Sequence, residues 1–264
     1  MSPALISAFA NYNNSHSTLN ASAMLKQEQH LVVDTASSNG HTFPVPEPTT
    51  GTTTTGTTGA VIEKSTSTFK FDDMDEALAA FRAGEFLLVM DDEGRENEGD
   101  LIIAASCITP EKMAWFIKVT SGFVCIALPG DRLEELQLPM MVANNTEHYR
   151  TAYTITVDYA HAPAPASEFT RPGHLVPLRA RDGGVLTRRG HTESAVDLCL
   201  LTQLPPAGLL CELVNDDAQG TMARRDDCRV FSQKHGIKMI SVEMIVEARR
   251  RLLEAAEQGG KEQS

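Results

Sequence analysis

The chain has 264 residues, 42% of them hydrophobic, and a formal net charge of -12. That length and composition sustain one buried core, while the acidic balance argues against a nucleic-acid partner, whose binders concentrate Lys and Arg on one face. No apolar run of about 18 residues is present and the start of the chain lacks a basic stretch followed by an apolar one, so no membrane span or secretory signal is expected and the protein reads as cytoplasmic.

Residues 1–64 are rich in Ser, Thr, Asn, Gly and Pro, with eight Thr and three Gly between positions 49 and 59. Such a segment offers little apolar surface to offset ordering entropy, and a disordered tail is expected there. A transit peptide is disfavoured because the first twenty-five residues hold no Lys or Arg. A folded domain is expected over 65–258, with 259–264 a flexible end. It opens with a helix capped by Asp72 or Asp73, carrying Met74, Ala77, Leu78 and Phe81 on one face and ended by Gly84. A strand follows at 86–90, then an acidic loop at 91–100 and an apolar segment at 101–105. Thr109-Pro110-Glu111 supplies a cap, a first-turn proline and a first-turn acid for a helix that turns Met113, Phe116 and Ile117 inward and ends at Gly122, with Trp115 also packing. Further strands are expected at 123–127, 153–157 and 209–214, and helices at 192–203, 226–235 and 241–256. The mixture makes an α/β or α+β domain. Arg249, Arg250 and Arg251 read as a solvated helix face. The five cysteines show no C-x-x-C spacing and read as reduced thiols filling a core in the cytosol.

Six carboxylates and one arginine crowd residues 91–100, Asp-Asp-Glu-Gly-Arg-Glu-Asn-Glu-Gly-Asp. Two carboxylates about 4 Å apart repel by roughly 4 kcal/mol at an effective dielectric near 20, which protonation, an arginine or a divalent cation relieves. A solvated turn is the alternative for any charged run. Here the flanking apolar strands hold the loop to the core, so Glu96, Glu98 and Asp100 cannot all point into water. Oxygen-rich clusters suit Mg²⁺ or Mn²⁺, which keep several waters and take one or two protein carboxylates.

Residues 183–192, Gly-Gly-Val-Leu-Thr-Arg-Arg-Gly-His-Thr, run into the helical pattern Ala195, Val196, Cys199, Leu200, so 190–192 fall at a helix N-terminus. Backbone N–H groups, the helix dipole, the Thr192 hydroxyl and Arg188 offer what a phosphate monoester requires; Thr192 as a plain N-cap is the alternative. Arg179, Arg181, Arg188 and Arg189, with Arg171 upstream, make this the one basic segment, and His191 stands beside it as a candidate metal ligand. Arg171-Pro-Gly-His174 sets a histidine after a rigid turn, a residue more often structural when alone. Glu212 lies within the apolar run 209–214, where a carboxylate must be paired, metal-bound or protonated, and is an acid/base candidate. Asn215-Asp216-Asp217 are turn formers first. No G-x-G-x-x-G, P-loop, G-x-S-x-G or H-E-x-x-H occurs, so redox cofactors and serine hydrolysis are unsupported.

Five motifs carry a resemblance: 91–100; Leu-Pro-Met-Met-Val at 138–142 with Asn144-Asn-Thr146; Arg171-Pro-Gly-His174; 183–192; and 211–224, which opens Cys-Glu. In that order, and from about residue 69 to 245, the chain resembles 3,4-dihydroxy-2-butanone 4-phosphate synthase. The resemblance implies a three-layer α/β (α+β) domain with a mixed, twisted β-sheet flanked by helices. It implies a riboflavin-pathway lyase, acting as a homodimer with Mg²⁺ or Mn²⁺, that converts D-ribulose 5-phosphate to L-3,4-dihydroxy-2-butanone 4-phosphate and formate. By position, Glu96 and His191 would hold the metal and Arg95, Glu96, Asp100 and Glu212 the sugar. Arg188 and Thr192 would take the anionic end of the substrate, and His174 and Glu212 would form the catalytic pair. One departure stands out: residues 158–170 are only Asp-Tyr-Ala-His-Ala-Pro-Ala-Pro-Ala-Ser-Glu-Phe-Thr. The family carries a longer segment there with a Thr-Thr-Gly-x-Ser-Ala-x-Asp-Arg signature that supplies substrate contacts and a helix. Greatly weakened turnover is therefore expected, and a catalytically impaired binder of metal and sugar phosphate is the alternative reading.

Overall fold

A computed structural model describes residues 69–159 and 169–261; the expectations for 1–64 and for the heart of the shortened 158–170 segment lie outside the described residues. In chain order the elements are α1 (Met74–Arg82), β1 (Leu87–Met90), β2 (Gly99–Ala104), α2 (Pro110–Val119), β3 (Cys125–Leu128), α3 (Gly130–Glu135), β4 (Val157–Tyr159), β5 (Phe169–Arg179), α4 (His191–Leu201), β6 (Gly208–Glu212), α5 (Arg225–His235), β7 (Lys238–Ser241) and α6 (Val242–Lys261). The strands form one sheet in the order β4-β5-β3-β6-β2-β1-β7. Pairs β1–β7 and β3–β5 are parallel and the rest antiparallel, so the sheet is mixed, as expected.

Helices cover both faces, which is why the central strands read as continuous apolar runs rather than alternating ones. On one face Leu87, Val89, Ile102, Ala104, Ala127 and Leu210 pack with Met74 and Phe81 of α1, Ala195 and Leu198 of α4 and Ile245 of α6. On the other, Phe86 stacks against Trp115 and Phe116 of α2, and Trp115 meets Phe231 of α5. The result is a three-layer domain whose core lies on the two sides of β1, β2, β3 and β6.

Local capping sets the helix starts. Asp73 accepts hydrogen bonds from the N–H groups of Asp75 and Glu76 at 2.9 and 3.1 Å, and the Thr109 hydroxyl accepts from Lys112 N ahead of Pro110.

Several expectations need correction. Arg171-Pro-Gly-His174 is not a turn between elements but part of the eleven-residue β5. Pro172, Gly173 and Pro177 hide this strand, because each weakens a strand pattern read from sequence. Gly173 is required there, since a Cβ would overlap the carbonyl carbon of Val157 on the neighbouring strand. The 153–157 run forms only isolated bridges at Tyr153 and Thr154, and the strand proper starts at Val157. The short α3 and the edge strand β7 were not anticipated. Ile117 is 40% exposed rather than inward. Arg249 is not on a solvated face: its side chain is 13% exposed and its Nε lies 3.3 Å from the Asp197 carboxylate. That carboxylate also accepts from Val185 N at 2.8 Å, tying α6 to the turn before Arg188. Helix α6 continues to Lys261, past the expected end at 256.

Candidate active site

The acidic loop is organised by its first residue. Asp91 is buried, and its two oxygens accept from Glu96 N (3.0 Å), Arg95 Nη1 (2.9 Å) and Glu98 N (2.9 Å). The loop turns through Asn97 at φ 54°, and Arg224 Nη1 donates to the carbonyls of Glu96 and Asn97 at 2.9 and 2.8 Å. Asp91 is thus consumed by two backbone N–H groups and Arg95 within its own loop, which leaves Glu96, Glu98 and Asp100 to face a cavity of about 60 Å³.

His191, the first residue of α4, is 6% exposed and closes that cavity from the other side. Its Nε2 donates to Val89 O at 3.1 Å. A carbonyl can only accept, so this bond holds the ring with Nδ1 turned to Asp100 Oδ1 at 3.4 Å and Glu96 Oε2 at 3.6 Å. Asp100 Oδ1 is buried without a hydrogen-bond partner. Burial pushes the Asp100 carboxyl up to about 8. Burial also disfavours the imidazolium, but the nearby acids, Asp100 first, outweigh it and hold His191 up to about 9. Glu96 is disfavoured as an anion by burial, yet its bond to His191 and the charge of Arg95 keep it below the usual carboxylate value. The centre of the cluster therefore favours positive charge. Among the described residues no group of three or more His, Cys, Asp or Glu forms a ready ligand set, and the two donors that face each other across the cavity are Glu96 Oε2 and His191 Nδ1.

Strand register supplies the next carboxylate. Asp100 on β2 pairs directly with Glu212 on β6, so both side chains leave the same face of the sheet. Glu212 is at the end of its strand, half-buried, and accepts from the Ser121 hydroxyl at 2.6 Å. Glu212 also lines the cavity, with Tyr153 and Cys211 nearby.

At the far wall stands Arg188. Its Nη1 donates to Glu193 (2.6 Å), Nη2 to the Thr151 hydroxyl (3.0 Å) and Nε to Tyr149 O (3.3 Å). A guanidinium has five N–H donors, so two remain for a ligand. The helix N-cap is Gly190, without a side-chain cap, and Thr192 is buried and lines the cavity, so Thr192 is not the plain cap. The basic segment as a whole does not converge. Arg179 pairs with Glu134, Arg189 with Glu243, Arg181 donates to Arg150 O and Arg171 to Leu136 O.

Seven of the eight expected site residues thus share one cavity: Arg95, Glu96, Asp100, Arg188, His191, Thr192 and Glu212. His174 does not join them within this chain. Its side chain is 83% exposed, its Nδ1 lies 2.6 Å from Asp158 Oδ2, and β3 separates its strand from that of Glu212. Asp91, Ser121, Tyr149, Thr151, Tyr153 and Arg224 were missed; of these only Asp91 and Arg224 lie in a motif that the sequence marks.

The sequence model of the family described as 3,4-dihydroxy-2-butanone 4-phosphate synthase matches residues 75–164 and 160–248. The 3,4-dihydroxy-2-butanone 4-phosphate synthase of Schizosaccharomyces pombe is 51% identical over 193 residues, covering 65% of this chain and 94% of that protein. The chain belongs to the 3,4-dihydroxy-2-butanone 4-phosphate synthase family. The synthase of Candida albicans is 47% identical over 67% of this chain and 96% of its own length. The riboflavin biosynthesis protein RibBA of Rhodococcus erythropolis is 44% identical over 69% of the chain but only 48% of that protein. Among solved structures, a synthase in complex with two magnesium ions superposes with a TM-score of 0.65 at 38% identity, covering 68% of this chain and 98% of the other. A cation-free synthase gives 0.63 at the same identity, over 69% and 99%. The family thus includes a magnesium-binding member with this fold.

Proposed function

We propose that this chain is a metal-dependent carbon–carbon lyase of riboflavin biosynthesis, converting D-ribulose 5-phosphate to L-3,4-dihydroxy-2-butanone 4-phosphate and formate. The observation that carries this reading is the orphaned, buried Asp100 oxygen beside a histidine whose tautomer is set and a carboxylate held ionised. That donor set fits Mg²⁺ or Mn²⁺, with Glu96 and His191 as the protein ligands. Such an ion supplies Lewis acidity toward a ketone and its neighbouring hydroxyl.

The chain's own residues do the rest. Arg188 and Thr192 hold the phosphate at the start of α4, and Arg95 and Asp100 hold the sugar hydroxyls. Glu212, kept in place by Ser121, is positioned to move protons during loss of the C1 hydroxyl, skeletal migration and release of C4 as formate. His174 is the second group of the catalytic pair, and its exposure supports its action at a site completed by assembly. A homodimer is supported by the exposed Phe123, Met140, Met141 and Val142, 49%, 38%, 46% and 54% exposed; Phe123 packs on the Tyr153 ring, Met141 N donates to Tyr153 O and Met140 bridges Thr154. All five cysteines are free, which supports a reducing, cytoplasmic setting. No described helix is long and apolar enough to cross a membrane. Formate release from ribulose 5-phosphate that stops with a chelator and returns on adding Mg²⁺ is the expected result; metal-independent release would reject the reading.

A second reading is favoured by one observation. The family model matches in two stretches that meet at residues 160–164, inside the shortened segment 158–170. On that reading the chain binds metal and sugar phosphate but turns over weakly. Binding of ribulose 5-phosphate without formate, together with formate release once the longer segment is restored, would select it.

A further inference from the structure

The segment before β4 contains Asn144-Asn-Thr146, a motif to which the proposed reaction gives no role. From 145 to 151 it is braced by its own side chains. Glu147 accepts from Tyr149 N at 2.8 Å and Thr151 N at 2.7 Å. Asn145 accepts from Glu147 N and donates to Thr151 O, both at 2.8 Å. The backbone turns through Arg150 at φ 56°, whose side chain bonds back to Asn145 O. These bonds tie Asn145 and Glu147 to Thr151 at the far end of the segment.

Tyr149 stands at its tip and touches both charged walls of the cavity. Its hydroxyl donates to Arg95 O at 2.6 Å, within the acidic loop. The Arg95 guanidinium carbon lies 4.8 Å from the centre of its ring. Its own carbonyl accepts from Arg188 Nε at 3.3 Å, and Thr151 takes Arg188 Nη2 two residues later. The carbonyl of Arg95 belongs to the peptide that presents Glu96 N to Asp91, so a pull on it moves the Glu96 backbone. One aromatic residue thus joins two loops about ninety residues apart in sequence.

We infer that Tyr149 is a positioning residue that couples the anion-holding arginine to the acidic loop, so that a phosphate at Arg188 and a divalent cation at Glu96 and His191 bind cooperatively; this rests on the functional reading above. Anchoring Arg188 on a phosphate steadies the 145–151 segment, and the tyrosine hydroxyl passes that order to Arg95 and Glu96. By linkage the cation must tighten phosphate by the same factor.

Isothermal titration of the full chain with Mg²⁺ alone, with inorganic phosphate alone, and with each in the presence of the other tests this in the wild type, Tyr149→Phe and Tyr149→Ala. Direct attraction between cation and phosphate is common to all three proteins, so a change in the coupling factor reports the tyrosine. Tyr149→Phe keeps the ring and the carbonyl. It should leave phosphate affinity without metal within about twofold, weaken Mg²⁺ by about threefold to tenfold, the span of one hydrogen bond, and shrink the coupling factor. Tyr149→Ala should also loosen Arg95 and lower the factor further, with thermal unfolding confirming that both variants fold. A coupling factor equal to wild type in both variants, or a wild type that binds both ligands with no coupling, overturns the inference. A wild type that binds neither Mg²⁺ nor phosphate overturns the reading of the site and the inference with it.

Discussion

His191 and His174 are both histidines marked by motifs, yet the fold treats them oppositely. His191 is 6% exposed, with one ring nitrogen given to a backbone carbonyl and the other facing two acids. His174 is 83% exposed and meets a single carboxylate on the adjoining edge strand. Burial turns the first into part of an electrostatic cluster in which charge is expensive unless it is matched. The second keeps its exposure to water and is held only by Asp158. On the proposed function, metal binding at His191 and catalysis at His174 should therefore be separable by mutation.

Removing a donor from the buried cluster should have the largest effect. Glu96→Gln or His191→Ala is expected to weaken Mg²⁺ by at least about a hundredfold, the upper end of what outer groups alone cost, and to abolish turnover; calorimetry and a formate assay read the two. Glu212→Gln comes next, with turnover falling by about 10²- to 10⁴-fold, the range for a proton-transfer group, and Mg²⁺ affinity kept. Parallel losses of metal and turnover in Glu212→Gln would merge it with the metal cluster. His174→Ala sharpens the contrast directly: turnover should fall by about a hundredfold or more while Mg²⁺ affinity and melting temperature stay as in the wild type. Equal loss of Mg²⁺ affinity in His174→Ala would erase the distinction between the two histidines. Arg188→Ala should raise KM about tenfold to hundredfold, the worth of a charged hydrogen bond, with a smaller change in kcat.

The smallest effect concerns Asp158. Burial opposes its charge, but hydrogen bonds from the His174 backbone and ring outweigh it and hold the carboxyl below its ordinary value. A depressed carboxylate stabilises the fold above its unfolded value, near 4, and that stability is lost as pH falls through the folded value. Asp158→Asn should therefore melt slightly below wild type at neutral pH, with the two curves converging under acid conditions. The pair is largely exposed, so the difference should be small.

Much of the helical layout was legible because its causes are local. Asp73 and the Thr109-Pro110 pair act on N–H groups within three residues of themselves, and α4 begins where Gly190 and His191 end a loop. Strand β5 was not legible: two prolines and a glycine carry the strand signal the wrong way, and only pairing with β3 and β4 keeps it extended. Ile117 lay on the inward side of a helical wheel, but α2 packs chiefly through Phe116, Met113 and Trp115. Arg249 looked like one of three solvated arginines until Asp197, fifty-two residues earlier, turned up beneath it.

From its residues alone this chain decided where most of its helices begin, that they would mix with apolar strands in an α/β or α+β domain, and that the carboxylates of 91–100 would need a counter-charge. It could not decide that Asp100 faces Glu212, that Asp91 serves the backbone rather than the cavity, or which histidine goes inside. The placement of Asp91 depends on the three-dimensional turn of its own loop, while the other outcomes depend on strand register and on contacts between residues about ninety to a hundred and ten positions apart. Caps, turns and periodicity act over a few residues and carry no information about partners that only the closed sheet brings within hydrogen-bonding distance.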